Sequence, residues 1–362
     1  MRMLVGTRKG LFIYRGASAR WQVEQRAFIG DPVSLVLHDS RDDAIYAALN
    51  LGHFGCKLHR SDDGGANWQE LEAPRYPSKP AGTDDANPWS LQLIWALEAG
   101  AVSQPGRLWC GTIPGALFRS DDRGASWQIN EGLWQRDERR GWWGGGFDQP
   151  GIHSICIDPR DANTLTLGVS IGGIWRSRDD GANWTQHGFG LRAEYTPAEN
   201  AAELNQQDPH LVVQCAGAPQ VFWTQHHNGI FVSHDDAHSW REITTSSPVG
   251  FGFPVAVHPR DPNRAWFVPA QRDSCRVPVD GRFVVARTDD AGASFTLQQR
   301  GLPEGEAWDL VYRHGLAIAN DGESLAMGST TGSLWCTADG GAQWHAISHH
   351  LPPIACVRLV DD

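Results

Sequence analysis

An eight-residue pattern, Ser/Thr-x-Asp-x-Gly-x-x-Trp, returns six times along the 362 residues of this chain. The copies are Ser61/Asp63/Gly65/Trp68, Ser120/Asp122/Gly124/Trp127, Ser177/Asp179/Gly181/Trp184, Ser233/Asp235/Ala237/Trp240, Thr288/Asp290/Gly292/Phe295 and Thr337/Asp339/Gly341/Trp344. Successive starts differ by 59, 57, 56, 55 and 49 residues, and a period of this size marks a stacked or radial repeat architecture. The residue types specify a tight turn between antiparallel strands. An Asp and a Ser/Thr two residues apart both bond turn backbone, the Gly takes positive φ, and the aromatic anchors the next strand.

Before each copy stands a hairpin with an aliphatic-aromatic pair, as in Gly172-Gly173-Ile174-Trp175, and before that one more strand, best seen in Ile152–Ile157 and Phe253–Val257. Each unit therefore holds four strands, A to D. Strand A is expected near 33–38, 90–97, 152–157, 210–215, 253–257 and 308–312, and once more at 354–360 with nothing after it. The N-terminus supplies strands B, C and D without an A. The two ends complement one another, which predicts an all-β, seven-bladed propeller of one domain, 1–362, whose ring closes by pairing the C-terminal strand with the N-terminal three and so removes free sheet edges. Within the 186–209 loop, Thr196-Pro197-Ala198-Glu199 reads as a capping box and predicts a short helix over 197–207.

The recurring turn resembles the Asp box, or bacterial neuraminidase repeat, of sialidases, sortilin-type receptors, xyloglucan hydrolases and photosystem assembly factors. The resemblance covers essentially the whole chain and implies an architecture rather than one activity. It also implies that the turn carboxylates lie on the face opposite the active site. A true sialidase would carry an early Phe/Tyr-Arg-Ile-Pro motif and six blades. Here Tyr14-Arg15 is followed by Gly16-Ala17 and no Arg-Ile-Pro occurs, so no sialidase catalytic residue transfers.

A formal charge of −11 argues against nucleic acid and anionic membrane as partners, since both need a basic face. The N-terminus has no signal-peptide apolar core and no later apolar run is long enough to span a bilayer, from which a cytoplasmic location is expected. Seven scattered cysteines without a Cys-x-x-Cys pair argue against a disulfide framework or a zinc ribbon and read as small core residues.

Strand A is innermost in a propeller, so its first residues ring the channel mouth. The long D-to-A loops, 72–89, 129–151, 186–209 and 242–252, and the B–C hairpins open on that face, where binding chemistry is expected. Ligand-binding candidates there are His53, Trp143, His153, His210, His226, His227 and Arg272, joined by Asp148 and Glu194 as candidate catalytic carboxylates of a glycosidase. No cofactor is expected. Histidines and a carboxylate suit a divalent cation, but the His-x-His and His-Glu-x-x-His spacings are absent, and no metal residue is assigned. Two functions stay open: a glycan-active hydrolase or lyase taking a small-molecule or carbohydrate ligand at the mouth, and a non-catalytic module that holds a protein partner on the same face, as assembly factors do.

Overall fold

The computed structural model describes residues 1–244 and 249–361; part of the 242–252 loop therefore lies outside the described residues. Its strands form seven four-stranded antiparallel sheets set as blades of a propeller, six of them ordered as in the chain from the innermost strand outward. We number the blades by their inner strands: Val33–Asp39, Leu93–Ala99, Gly151–Ile157, Pro209–Gln214, Gly252–Val257, Leu316–Ile318 and Ile354–Val360. In blade 7 the inner strand is C-terminal and pairs with Arg2–Thr7, with Arg2 opposite Val360 and Val5 opposite Val357, so the expected ring closure is present. Among the described residues the α-helix amounts to the four residues Glu131–Trp134.

The six repeated turns share one hydrogen-bond pattern. In each, the Ser/Thr hydroxyl donates to the Asp Oδ1 at 2.7–2.9 Å. The same carboxylate oxygen accepts the backbone N–H four residues after the Asp at 2.8–3.0 Å. Gly181 takes φ 81° and donates its N–H back to the Ser177 hydroxyl; in the fourth copy Ala237 occupies the same left-handed region at 62°. All six turns join the third and fourth strands of their blades, away from the loop-bearing mouth.

Large aromatics fill the blade cores: Trp109, Trp175, Trp223, Trp266 and Trp335 are buried completely or nearly so. The inner strands press close against neighbouring blades. A Cβ on Gly111 would fall 2.6 Å from the Ile152 carbonyl oxygen, and one on Gly168 would fall 2.9 Å from Val212, so any side chain there would push adjacent blades apart.

The inner strands also share an irregularity near their starts. Pairing with the second strand slips by one residue at Ser34, Trp95, His153, His210 and Ala355, and in blade 5 across Phe253 and Pro254. Each slip is a β-bulge, which leaves one residue unpaired and re-aims its side chain. Blade 6 departs from the pattern: its inner strand is not 308–312, as the apolar run Trp308–Tyr312 suggests, but Leu316–Ile318, preceded by a 3₁₀ turn Arg313–Gly315. Pairing with Leu325–Met327 sets that register and leaves Trp308 largely exposed. The helix expected over 197–207 is likewise corrected to two separate 3₁₀ turns, Ala198–Asn200 and Leu204–Gln206. Thr196 does not cap; its hydroxyl donates to the Ala193 carbonyl, and the Gln207 side-chain amide takes up the Ala201 and Glu203 carbonyls.

Candidate functional site at the channel mouth

Two cavities share the channel through the ring. The outer one, about 870 Å³, opens at the loop-bearing mouth, and the inner one is about 420 Å³. Both are lined by Arg313 and His314 of the blade 6 turn, so this turn sits between them. Around it stand bulge residues of other blades. The Arg313 guanidinium lies 4.7 Å over the Trp95 ring and 5.4 Å from the Phe253 ring, Trp95 packs edge-on against His153 at 5.4 Å, and His210 stacks on Phe253 at 4.6 Å. The irregularity of the inner strands thus brings Trp95, His153 and Phe253 around the neck of the channel.

Arg313 is only 5 % exposed, yet its Nε has no hydrogen-bond partner among the described residues, and aromatic rings rather than carboxylates flank its charge. Burial lowers its pKa to about 10, with Asp208 working in the opposite sense, so it is cationic at neutral pH. His153 Nε2 is likewise buried without a partner among the described residues; its Nδ1 meets the Ser154 hydroxyl at 2.8 Å. Burial, reinforced by the Arg313 charge, holds the His153 imidazole well below its ordinary pKa. His314 is pushed down to about 3, chiefly by burial, and as a neutral ring its Nε2–H donates to the His153 carbonyl at 3.0 Å. Glu98 lines the inner cavity half-buried, and loss of solvent there pushes its carboxyl up to about 7 against the pull of Arg358.

The candidates read from the sequence separate into three groups. His153 reaches the neck, and His210 and His227 converge beneath the rim on Asp208, whose Oδ2 lies 3.5 Å from His210 Nε2 and 3.5 Å from His227 Nδ1. Burial works to raise the Asp208 pKa, but the two imidazoles and the Arg313 charge outweigh it and hold the carboxyl well below its usual range. His226 is structural: it is fully buried, its ring nitrogens face the backbone N–H groups of Asp208 and Asn228 at 3.1 and 3.2 Å, and burial pushes it down to about 3. The remaining candidates lie on the outer rim. Trp143 donates its indole N–H to Gln206, His53 rests on Phe54 at 3.9 Å, and Asp148 and Arg272 are exposed. Glu194 is engaged by Arg192 and by the Asn228 amide.

Arg313, Trp95, Phe253 and Tyr312 were not singled out from the sequence. Trp95 and Phe253 share the bulge positions of His153 and His210, an equivalence set by the strand pairing. Arg313 had no sequence signal, because it depends on where blade 6 begins its strand.

The outer chamber has a definite chemical character. Arg8, Arg313 and Arg276, the last paired with Asp273 at 2.5 Å, line it together with Trp95, Phe147 and Tyr312, and no carboxylate lines it among the described residues. In a chain of net charge −11 this is a local reversal of sign, and low-dielectric walls focus such a field.

No protein-family model matches the chain. Among curated proteins it is 25 % identical over 264 residues to an oligoxyloglucan-reducing end-specific xyloglucanase of Emericella nidulans, an alignment covering 66 % of this chain and 30 % of that protein. Related xyloglucanases of Acetivibrio thermocellus and a Paenibacillus species are matched over 17 % and 14 % of their lengths, so the chain spans less than a third of the curated relatives it resembles. Three solved structures show the same fold. A GH74 xyloglucanase from Xanthomonas campestris superposes with a TM-score of 0.56 at 17 % identity, over 92 % of this chain and 47 % of that one. YCF48 bound to D1 peptide gives 0.56 at 16 % identity, over 93 % and 89 %. The periplasmic gluconolactonase PpgL of Pseudomonas aeruginosa gives 0.61 at 13 % identity, over 99 % of both chains. At these identities the structural likeness establishes the propeller alone. No helix of the described residues is long and apolar enough to cross a membrane.

Proposed function

We propose that this chain is a glycoside-hydrolase-like propeller of the Asp-box type that takes an acidic saccharide into its loop-bearing mouth, with Arg313 as the partner of the ligand's anionic group. The observation that carries the reading is the outer chamber: Arg8, Arg313 and an Arg276 paired with Asp273 stand on its wall, and no carboxylate lines it among the described residues of a strongly acidic chain. Arg313 is buried without a hydrogen-bond partner for its Nε. Burying a guanidinium costs several kcal/mol unless a counter-charge is supplied, and a planar carboxylate is the partner its fork of donors fits best. Trp95, Phe147 and Tyr312 provide ring faces for the apolar side of a sugar. The sequence match to xyloglucanases supports the carbohydrate class. Asp148 stands on the rim and Glu194 is already paired, so the reading rests on neither.

The test is a titration of the chain's tryptophan fluorescence with a uronic-acid oligosaccharide and with a neutral cello-oligosaccharide of equal length. The acidic ligand should bind about tenfold or more tightly, a difference of about 1.4 kcal/mol. Arg313→Met should abolish that preference while leaving the melting temperature unchanged or higher, because it removes a buried charge that no carboxylate pairs directly. Equal binding of the two sugars, or an intact preference in the variant, would overturn the proposal. Binding of neither would move the reading to the peptide-holding alternative, for which YCF48 with its D1 peptide is the structural parallel.

A further inference from the structure

Beneath the rim of blade 4, Asp208, His210 and His227 bring one carboxylate oxygen and two ring nitrogens within 4.8 Å of one another. We infer that these three side chains form a binding site for a borderline divalent cation of the zinc class, separate from the arginine-lined chamber and independent of the saccharide reading.

Three observations carry it. First, the His210 tautomer is determined by its surroundings. Its Nδ1 lies 2.6 Å from the Gly252 carbonyl oxygen, which can only accept, so Nδ1 bears the proton and Nε2 of the neutral ring presents a lone pair. That lone pair faces Asp208 Oδ2 at 3.5 Å, and His227 Nδ1 faces the same oxygen at 3.5 Å. At His210 a nitrogen lone pair and a carboxylate lone pair opposed in this way require a cation or an extra proton between them. Tetrahedral zinc with ligand bonds of about 2.0–2.2 Å places its ligand atoms about 3.4 Å apart, which matches both separations.

Second, the ligands are held from behind in the manner of metal sites, where outer partners orient the inner ones. The Gly252 carbonyl fixes His210, which also stacks on Phe253. The Ser170 hydroxyl donates to Asp208 Oδ1 at 3.2 Å and leaves Oδ2 for the cation. Asp208 and His210 stand two residues apart at the start of the inner strand of blade 4, beside the bulge at His210.

Third, the surroundings leave room and access. A Cβ on Gly145 would stand 3.1 Å from both Asp208 Oδ2 and the Ser170 hydroxyl, so the backbone passes over the carboxylate at a distance only glycine permits comfortably. His227 keeps 23 % of its side chain exposed and provides the route in from the rim. Two nitrogens and one oxygen suit zinc and its neighbours rather than calcium or magnesium, and three protein ligands leave a coordination position open to solvent.

The experiment uses Co²⁺ as an absorbing zinc surrogate. The full chain, stripped with EDTA, is titrated with Co²⁺ while visible absorption and bound metal are measured after gel filtration. One equivalent should bind with a tetrahedral-type spectrum, and Zn²⁺ should displace it. His210→Gln should abolish binding, and His227→Gln, a change on the partly exposed rim that leaves the fold intact, should weaken it about tenfold or more. Gly145→Ala should weaken it as well. The inference is overturned if the stripped chain takes up no Co²⁺ at millimolar concentration, or if His227→Gln binds it as the unaltered chain does.

Discussion

Asp179 accepts from the Ser177 hydroxyl at 2.9 Å, from the Asn183 backbone N–H at 2.8 Å and from the Asn183 amide at 2.7 Å, and one exposed carboxylate thereby closes a whole turn. Those donors hold its pKa below the ordinary value, the Asn183 amide foremost. A carboxyl depressed in the folded state contributes stability above its unfolded pKa and loses it as the pH falls through the folded one. Asp179→Ala should therefore cost about 1 kcal/mol at pH 7, with the difference shrinking below about pH 4, as denaturant melts at the two pH values would show. Ligand titrations at the mouth should be unaffected, because the turn lies on the opposite face. The same chemical type behaves differently at Asp208, which is buried and shared by two imidazoles. Residue type alone does not separate a turn brace from a candidate ligand; the partners do.

The 72–92 connection shows how a loop without regular structure is made part of the scaffold. Asp85 is fully enclosed and receives Arg139 Nη2 at 2.9 Å, the Trp89 indole N–H at 2.9 Å and the Asn87 N–H at 3.0 Å. Arg139 in turn lies 3.8 Å over the Trp134 ring and donates to the Trp134 carbonyl. Removing one partner of a buried pair leaves an uncompensated charge, so Asp85→Ala should cost about 3–5 kcal/mol and open the 72–92 segment to limited proteolysis. A digestion pattern like that of the parent chain would show that the pair does not hold the loop. Two element-level expectations failed for related reasons. The 308–312 run has strand-like composition, but blade 6 draws its inner strand from Leu316–Ile318, and the 197–207 helix gives way to side-chain bonds that satisfy its carbonyls locally. In both cases tertiary partners overrode local propensity.

Ring closure is the property of the whole molecule most exposed to a single cut. Strand Ile354–Val360 pairs with Arg2–Thr7, and Ile354 and Val357 join Met3 and Val5 in the core of blade 7. Deleting residues 353–362 should lower the melting temperature by more than about 10 °C or leave the chain aggregating through the uncovered strand; a melt like that of the full chain would contradict closure by this strand. The sequence by itself determined the repeat, the blade count and the complementary ends, because each follows from short-range chemistry repeated at a fixed period, while the side of the ring on which the turns lie came from the resemblance to the Asp box. It also placed His153, His210 and His227 on the loop-bearing face. Which side chains face the channel was decided only in three dimensions. Strand alternation predicts orientation two residues at a time, and the inner strands break that alternation with bulges at Trp95, His153 and His210. Arg313 enters the channel because blade 6 starts its inner strand after a turn, and that register is settled by pairing across the blade, which no local stretch of the chain encodes.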